Sequence, residues 1–535
     1  MVDFTIQYHS KNRAQLVSHD EDLLNEAQLL FSYQKRVFGS FRASADLSGT
    51  GVYSCISPSF TFKIGLVLEI YKQLTNAGYK VKIDNELKKH VQPKTHLNES
   101  LIQPHANFTY RDYQEETIRR VARFGRGLIE IPTSGGKSLI LYGICSNIKE
   151  FSKKTLIVVP RTQLVEQFFK EWTVEYGFKG ISMYSKNQPN LNTDAKVVVT
   201  NYQWLVSKEK DKNGKKVSIG SKEAAIRKAG FEAIIVDEAH TIGESGSWMS
   251  RFISKFETPY KIGCTGTVAE KEDLSKRWNC IGVIGPIIYK KPIAELQNAN
   301  QIAKVRIFPI RLEHNTRKLS EQPYENRGGV CFDKETGKQL DGTKMYEAEY
   351  KYLESHNGAN NILLNVIESL KGNSIVLIDH TEHAQYLYDN CLCENKFLIT
   401  GKVKLTDRTK TAELIDLKDN NQYIIFANSS AAGTGLSIKN LQNVVIASHG
   451  KALTKIIQGI GRVLRKLKKD GEEEVYNVID IHHNYLFSEK HFNSRCKLYK
   501  TRYHKNCKIF KSILVPINTQ NEMREKETNK SLDEL

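Results

Sequence analysis

Short apolar runs, bounded by polar and turn-forming residues, recur along most of the chain. They contain many β-branched residues and do not alternate with polar ones, which is typical of parallel strands covered on both faces. Segments of helical length lie between them, and this order predicts α/β units. The runs form two sets, so we expect two doubly wound parallel sheets in tandem. They occupy residues 128–131, 155–159, 196–200, 231–236, 374–378, 423–427 and 443–447.

The first 105 residues show a different pattern. Residues 4–8 and 52–56 read as strands, and residues 64–76 carry apolar side chains at helical spacing. Gly78 is suited to end that helix, and residues 79–83 alternate as a strand does. This segment therefore predicts a small α+β accessory domain.

A glycine-rich turn follows the apolar run at 128–131 and leads into an apolar helix. Backbone N–H groups at such a helix start attract anions. The Lys137 ammonium is then placed for the β- and γ-phosphates of ATP, and the Ser138 hydroxyl for Mg²⁺. A glycine-rich turn that merely caps a core helix is the alternative. The predicted nucleotide-binding loop consists of Thr133, Ser134, Gly135, Gly136, Lys137 and Ser138.

Two adjacent carboxylates, Asp237 and Glu238, follow the apolar run at 231–236. Side by side at the end of a buried strand they repel each other and are costly to desolvate unless a cation is present. We expect Asp237 to hold Mg²⁺, and Glu238 to orient and deprotonate the attacking water. A solvated strand end is the alternative, but the order of the two motifs disfavours it.

A third motif lies near the end of the second set of runs. Gln458, Arg462 and Arg465 are spaced i, i+4 and i+7, so a helix would present them on one face. Arginines make bidentate contacts with phosphate oxygens, which predicts that these two neutralise charge on the γ-phosphate. A basic, solvated helix face is the alternative. The glycines at 459 and 461 and the glutamine favour the catalytic role.

In this order the motifs resemble those of superfamily 2 helicases, and the intervening motifs of that superfamily are also present. They are Tyr113-Gln114, Val159-Pro160-Arg161-Thr162, Thr200-Asn201-Tyr202, Thr265-Gly266-Thr267, Thr400-Gly401 and Gly433-Thr434-Gly435-Leu436-Ser437. A complete ordered set is more specific than any single motif. Residues 61–84, the Thr-Gly-Thr motif and residues 437–441 resemble more narrowly the phage UvsW-type helicases, which remodel branched DNA in the manner of RecG.

The resemblance implies two tandem RecA-like lobes behind the accessory domain. The expected bounds are 1–105 for the accessory domain, 106–303 for the ATP-binding lobe, 304–490 for the C-terminal lobe and 491–535 for a basic extension with a disordered end. Residues 316–352 look like an insertion. Basic and aromatic residues interleave between 35 and 42. They predict either a grip on duplex DNA or a partly buried strand with solvated charges, and both interpretations stay open.

Further site residues follow from the resemblance. Gln114 is expected to read the adenine edge, with Tyr113 beside the base; core packing is an equal alternative for Tyr113. Gly433 and Gly435 would let the backbone approach ATP and the nucleic-acid strand. The expected contacts to the strand's phosphate backbone, which position DNA without reading sequence, are Arg161, Thr200, Thr400, Gly401 and Thr434.

Composition is consistent with this expectation. The 535 residues carry a formal net charge of +18, which favours a polyanionic partner and salt-sensitive binding. Nine cysteines without a regular framework indicate reduced thiols. The first ten residues lack an apolar secretory segment, and no apolar run approaches membrane-spanning length. We expect a monomer in a bacterial or phage-infected host cytoplasm, with no membrane partner.

The function expected from these residues is an ATP-dependent DNA helicase or translocase acting on forks and Holliday junctions in replication, recombination and repair. Two alternatives stay open. Backbone contacts alone do not distinguish the sugar, so an RNA helicase is one. An ATP-gated nucleic-acid clamp without productive unwinding is the other.

Overall fold

The structure, a computed structural model, divides the chain into two compact units. The first holds residues 1–132 and 136–291, and the second holds residues 133–135 and 292–535. The residues described are 2–36, 50–104, 108–132, 135–206, 220–243, 246–268, 273–315, 322–328, 330–401, 403, 405–417, 421–428, 438, 440–448, 475–503, 507–509 and 513–516.

The first unit begins with a four-stranded sheet in the order β5-β2-β1-β6 and a separate β3-β4 hairpin. Alternating apolar residues of β1 and β2 face inward, and the amphipathic helix α2 buries its apolar face. The strands are β1 (Phe4–Ser10), β2 (Arg13–Val17), β3 (Ser32–Arg36), β4 (Thr50–Ser54), β5 (Thr61–Lys63) and β6 (Val81–Ile83). The helices are α1 (Glu21–Leu30), α2 (Val67–Asn76) and α3 (Asn85–Val91), with a 3-10 helix at Ile64–Leu66.

This small α+β layer shares one hydrophobic core with the parallel sheet that follows it. A Cβ on Gly65 would overlap the carbonyl oxygen of Ile281, so the two backbones meet in direct contact there. Phe31 packs on Trp278, with ring centroids 6.1 Å apart. The accessory layer therefore packs directly on the helix Leu274–Val283, which belongs to the layer around the first parallel sheet.

The rest of the first unit is a seven-stranded sheet in the order β13-β7-β12-β11-β8-β10-β9, with every neighbouring pair parallel. Its central strands are buried throughout, as their continuous apolar runs predicted. The strands are β7 (Gly127–Glu130), β8 (Thr155–Val159), β9 (Ile181–Tyr184), β10 (Val197–Asn201), β11 (Ala233–Asp237), β12 (Tyr260–Thr265) and β13 (Ile287–Lys290). The helices are α4 (Asp112–Phe124), α5 (Lys137–Asn147), α6 (Lys149–Lys153), α7 (Thr162–Lys170), α8 (Tyr202–Val206), α9 (Gly220–Lys228), α10 (Trp248–Ser254) and α11 (Leu274–Val283), with a π-helix at Glu171–Glu175 and a 3-10 helix at Ala239–Gly243.

The second unit contains another parallel sheet, in the order β18-β19-β17-β20-β21-β14, with β22 and β23 both pairing along β14. The strands are β14 (Lys304–Glu313), β15 (Glu325–Arg327), β16 (Val330–Phe332), β17 (Ser374–Ile378), β18 (Lys396–Ile399), β19 (Ile424–Asn428), β20 (Asn443–Ile446), β21 (Val475–His483), β22 (Cys507–Ile509) and β23 (Ile513–Pro516). The helices that the structure describes are α12 (Ile293–Asn298), α13 (Gly342–Ser355), α14 (Asn357–Ser369), α15 (Thr381–Asn390), α16 (Leu405–Asp416) and α17 (Leu486–Tyr503).

The C-terminal helix α17 is fastened to the second sheet by a buried ion pair. Arg495 donates from Nε and Nη2 to the Asp480 carboxylate at 2.9 and 2.7 Å, and neither side chain is exposed to solvent. Tyr499 is buried beside them and also donates to Asp480. A helix that spans the expected boundary at residue 490 thus belongs to the core of the second unit.

Two parallel sheets flanked by helices agree with the predicted fold class of two RecA-like doubly wound lobes preceded by an α+β layer. Within the part of the chain that the structure describes, none of the helices is both long and apolar enough to cross a membrane.

Candidate nucleotide-binding site

Apart from Tyr113 and Gln114 on helix α4, the predicted site residues of the first unit lie along one edge of its parallel sheet. All the strands run in the same direction, so the ends of β7, β8, β10, β11 and β12 meet at the carboxyl edge. Ligands of open α/β sheets bind at this edge. The nucleotide loop follows β7, the two carboxylates end β11, and the Thr-Gly-Thr segment ends β12 between them.

The phosphate loop ends in a backbone turn that requires glycine. Gly136 caps the start of α5 with φ +71°, in the left-handed region, and an added Cβ would overlap Nε2 of Gln114. Helix α5 then begins at Lys137, as predicted, so the N–H groups of its first turn face the loop. Of the predicted loop residues, Thr133 and Ser134 lie outside the described part of the chain.

Lys137 and Glu238 are brought together although 101 positions separate them. Lys137 Nζ lies 3.2 Å from Oε1 of Glu238, and both side chains are largely buried. Oε2 of Glu238 lies 3.2 Å from Nδ1 of His240, and that nitrogen lies 3.0 Å from the Thr265 hydroxyl. The Thr265 hydroxyl in turn donates to the carbonyl of Thr267 at 3.0 Å. A chain of polar contacts therefore links the phosphate loop to the Thr-Gly-Thr segment.

The two adjacent carboxylates have opposite electrostatic environments. Burial, and then the neighbouring Glu238 carboxylate, raise the pKa of Asp237 above its ordinary value. Burial alone would also raise the pKa of Glu238, but Lys137 and His240 outweigh it and hold that pKa well below its ordinary value. Burial opposes the charge on Lys137 as well, yet the Glu238 and Asp237 carboxylates raise its pKa. Glu238 is therefore the stably ionised member of the pair.

Asp237 is suited to a metal ion. It is 7% exposed, and its Oδ1 has no hydrogen-bond partner among the residues that the structure describes. A buried anionic oxygen without a partner is costly, and a divalent cation would supply the missing partner. Asp237 and the Ser138 hydroxyl are oxygen donors of the kind that Mg²⁺ prefers. The donor set thus fits the predicted Mg²⁺.

The backbone at Glu238 is strained, because this residue has φ +51° although it is not glycine. Such a conformation costs on the order of 1–2 kcal/mol. The strain occurs where β11 ends and the chain turns into the 3-10 helix at Ala239–Gly243. It allows two successive carboxylates to remain at the sheet edge. Backbone strain of this kind is often found in functional sites.

One contact of the site has no counterpart among the predicted residues. Nε1 of Trp172 donates to the Ser138 hydroxyl at 3.1 Å, from a side chain that is fully buried. The sequence offered little signal for this partner, because Trp172 follows Ser138 by 34 positions outside any motif quoted above. His240 and Thr265 did lie inside quoted motifs, but their contacts depend on the order of the strands.

Gln114 packs against the phosphate loop from α4. Its Oε1 accepts the backbone N–H of Arg111 at 2.9 Å, and the side chain is almost completely buried against Gly136. Tyr113 is buried on the same helix. Tyr110, which precedes the helix, donates to the carbonyl of Ile102 at 3.0 Å and packs near Gly143 of α5. Adenine recognition by Tyr113 and Gln114 stays a prediction.

The predicted nucleic-acid contacts differ in accessibility. Arg161 precedes α7 and is partly buried, and burial lowers its pKa. Thr200 lies at the same sheet edge with no exposed surface, so a contact through its side chain requires a local opening. In the second unit, Thr400 is buried and its carbonyl accepts Nη2 of Arg408 at 2.6 Å, whereas Gly401 is exposed.

The remaining predicted site residues lie outside the part of the chain that the structure describes. They are Gly433, Thr434, Gly435, Gln458, Arg462 and Arg465.

Two family models match the chain at these motifs. Residues 107–270 match the family described as type III restriction enzyme, res subunit. Residues 358–466 match the helicase conserved C-terminal domain. The first match spans the nucleotide loop and the carboxylate pair, and the second reaches Gln458 and Arg465. Both matches agree with the resemblance that the motifs indicated.

Among curated proteins, the chain is similar to the ATP-dependent DNA helicase uvsW of Enterobacteria phage T4, with 25% identity over 443 residues, which cover 78% of each chain. It is 24% identical over 380 residues to the DNA 3'-5' translocase XPB2 of Sulfurisphaera tokodaii, with 67% of this chain and 79% of that protein covered. Among solved structures, a fragment described as an HsdR subunit of a type I restriction enzyme from Vibrio vulnificus YJ016 shares the fold. It has a TM-score of 0.52 at 15% identity and covers 88% of this chain and 76% of its own.

Proposed function

Because this chain is a superfamily 2 helicase that matches the type III restriction enzyme res subunit family and the helicase conserved C-terminal domain, we propose that it couples ATP hydrolysis to the remodelling of branched DNA. The reaction converts ATP and water to ADP and phosphate. Its substrate would be DNA, since the similar T4 protein is a DNA helicase and the Sulfurisphaera tokodaii protein a DNA translocase. The choice of forks and four-way junctions rests on the resemblance to UvsW-type helicases, which remodel branched DNA. The observation that carries the proposal is the pairing of Lys137 with Glu238 beside Asp237 at the sheet edge.

The site residues divide the chemistry of hydrolysis among them. The Lys137 ammonium and the N–H groups at the start of α5 would bind the β- and γ-phosphates. Ser138 and Asp237 would hold Mg²⁺, which when bound supplies positive charge next to the phosphate oxygens. Glu238 would orient the attacking water and accept its proton.

The ion pair suggests how ATP changes the state of the general base. Lys137 and Glu238 neutralise each other at 3.2 Å. A γ-phosphate competes for the same ammonium, so its arrival would weaken the pair and raise the proton affinity of Glu238. The base would then become more effective when substrate is present. His240 and Thr265 extend from Glu238 to the Thr-Gly-Thr segment, a route by which hydrolysis would reach residues that move DNA.

The proposal keeps the predictions that rest on the sequence alone. Arg462 and Arg465 are proposed to neutralise the γ-phosphate, with Gln458 beside them. Arg161, Thr200, Thr400, Gly401 and Thr434 are proposed to contact one strand's backbone without sequence specificity. The net charge of +18 supports a nucleic-acid partner. We further propose a monomer that works in the bacterial or phage-infected cytoplasm.

ATP turnover by the full chain, measured with single-stranded DNA, linear duplex, a fork, a four-way junction and a matched RNA, tests this function. We expect the strongest stimulation from the fork and the junction, with all turnover lost in Lys137→Ala. Stimulation mainly by RNA would replace the DNA proposal with an RNA helicase. Nucleotide-dependent DNA binding without turnover would favour the clamp.

A further inference from the structure

A buried indole lies against the hydroxyl that the proposed function assigns to Mg²⁺. Nε1 of Trp172 donates to the Ser138 hydroxyl at 3.1 Å, and the indole has no exposed surface. The Tyr176 hydroxyl also faces Ser138 and donates to Glu171 at 2.6 Å. Ser138 is the second residue of α5, directly after Lys137.

The backbone around Trp172 departs from regular α-helix. After α7 the chain forms a π-helix over Glu171–Glu175, in which the N–H of Tyr176 donates to the carbonyl of Glu171 at 3.0 Å. The N–H of Phe178 then donates to the carbonyl of Trp172 at 2.7 Å. π-Helical turns are rare and occur often at functional sites. Here the extra residue per turn places the indole against the phosphate-loop helix.

Aromatic packing fixes the orientation of the indole. Tyr142 and Phe178 meet it edge to face, with ring centroids 5.8 and 5.5 Å away, and Phe168 lies at 6.1 Å. Tyr142 belongs to α5, the helix that carries Ser138. Such packing leaves the ring little rotational freedom, so its N–H is a fixed donor.

A fixed donor restricts what the serine hydroxyl can do. The hydroxyl has one proton and two acceptor lone pairs, and rotation about its C–O bond decides which groups they meet. The indole nitrogen only donates, so it occupies one lone pair and neither accepts the serine proton nor competes for a cation. The second lone pair is thereby directed to another ligand. From this geometry we propose that Trp172 is a positioning residue that holds the Ser138 hydroxyl ready to bind Mg²⁺.

This inference rests on the proposed nucleotide site and deepens it. Groups that orient a metal ligand through hydrogen bonds typically change metal affinity by 10–100-fold when removed. For Trp172 we expect a change in Mg²⁺ affinity near the lower end of this range, because the Ser138 hydroxyl can still rotate into place without the indole. The contact should alter the Mg²⁺ requirement and leave Mg²⁺-independent nucleotide binding unchanged.

Binding of a fluorescent ADP to the full chain, titrated with Mg²⁺ and repeated in EDTA, measures the two properties separately. In Trp172→Phe we expect the Mg²⁺ concentration that gives half-maximal enhancement of ADP binding to rise about 10-fold. The ADP affinity in EDTA should stay unchanged. Trp248→Phe is the matched control, because Trp248 stacks on Phe252 in α10 and should leave both quantities at wild-type values. In a Ser138→Ala background, Trp172→Phe should have no further effect on the Mg²⁺ requirement.

Two results with Trp172→Phe would overturn the inference while leaving the proposed function intact. One is an unchanged Mg²⁺ requirement in Trp172→Phe, and the other is an equal loss of ADP affinity in EDTA, which indicates a purely structural role. Should Trp172→Phe fail to fold, benzothienylalanine at position 172 keeps the ring shape and replaces N–H by sulfur, and the same shift is expected. If wild-type protein bound no nucleotide at all, the proposed function would fail together with this inference.

Discussion

Gly136→Ala probes the backbone turn that begins helix α5. Alanine at φ +71° costs roughly 1–2 kcal/mol, because its Cβ approaches the following carbonyl oxygen. The added Cβ would also overlap Nε2 of Gln114, so that side chain must turn away. Gln114 then loses the hydrogen bond from Arg111 N that closes the start of α4, at a further cost of about 1 kcal/mol. The expected loss of stability is therefore about 2–3 kcal/mol.

Gly78→Ala separates the strain from the overlap. Gly78 has φ +97°, but no atom lies within 4 Å of the position that a Cβ would take. This control should lose only the strain energy, roughly 1–2 kcal/mol. It lies in the accessory layer after α2, away from the nucleotide loop, so ADP binding should stay unchanged.

Urea denaturation of both variants, followed by circular dichroism and paired with fluorescent ADP binding, measures the difference. We expect Gly136→Ala to be the less stable variant by about 1 kcal/mol. Its ADP affinity should fall by about 10-fold or more, because the loop N–H groups no longer converge on the phosphates. Equal stability of the two variants together with unchanged ADP affinity would refute the reasoning.

Three further predictions concern buried charges. Glu238→Gln should lower ATP turnover by about 10²–10⁴-fold while ATP-dependent DNA binding persists; a variant that hydrolyses ATP normally would remove Glu238 from the base role. Asp237→Asn should raise the thermal unfolding midpoint of the nucleotide-free protein at pH 7, because burial and Glu238 raise the pKa of Asp237. The difference in unfolding midpoint between Asp237→Asn and wild type should shrink as pH falls through that raised pKa, because the folded wild-type protein binds the proton more readily than the unfolded chain does. An unchanged or lower midpoint of Asp237→Asn at pH 7 would contradict this prediction. Arg495→Met should lower the free energy of unfolding by about 3–5 kcal/mol, because it leaves the Asp480 charge buried without its arginine partner. Adding Asp480→Asn should recover part of this loss of stability. Additive losses in the double variant would show that the pair is not coupled.

The local features of the site could be predicted from the sequence because each depends on neighbouring residues. Continuous apolar runs indicated buried strands, and the structure forms strands at those positions. Helix α5 begins at Lys137, where glycines and an apolar segment indicated a helix start. The positions of Asp237 and Glu238 at a strand end follow from the run at 231–236.

Contacts between distant segments could not be predicted in the same way. Lys137 reaches Glu238 because β12 lies between β7 and β11 in the sheet, and this order is not contained in any local pattern. The complete burial of the Thr200 side chain is another example, because a threonine within a motif does not indicate how exposed its side chain is. The hydrogen bond from Trp172 to Ser138 depends on a π-helix that no pattern in the sequence predicted.

By itself the sequence determined the two α/β sets, the family resemblance and the residue types of the candidate site, because hydrophobic periodicity and short motifs act over a few neighbouring positions. Tertiary structure alone decided which of these residues meet. The strand order makes Glu238 the partner of Lys137 and leaves Oδ1 of Asp237 without one among the described residues. Tertiary packing also joins the accessory layer to helix α11 through the backbone contact at Gly65. These outcomes depend on close packing between segments far apart in the chain, where position in space and not spacing in sequence sets the interaction energy.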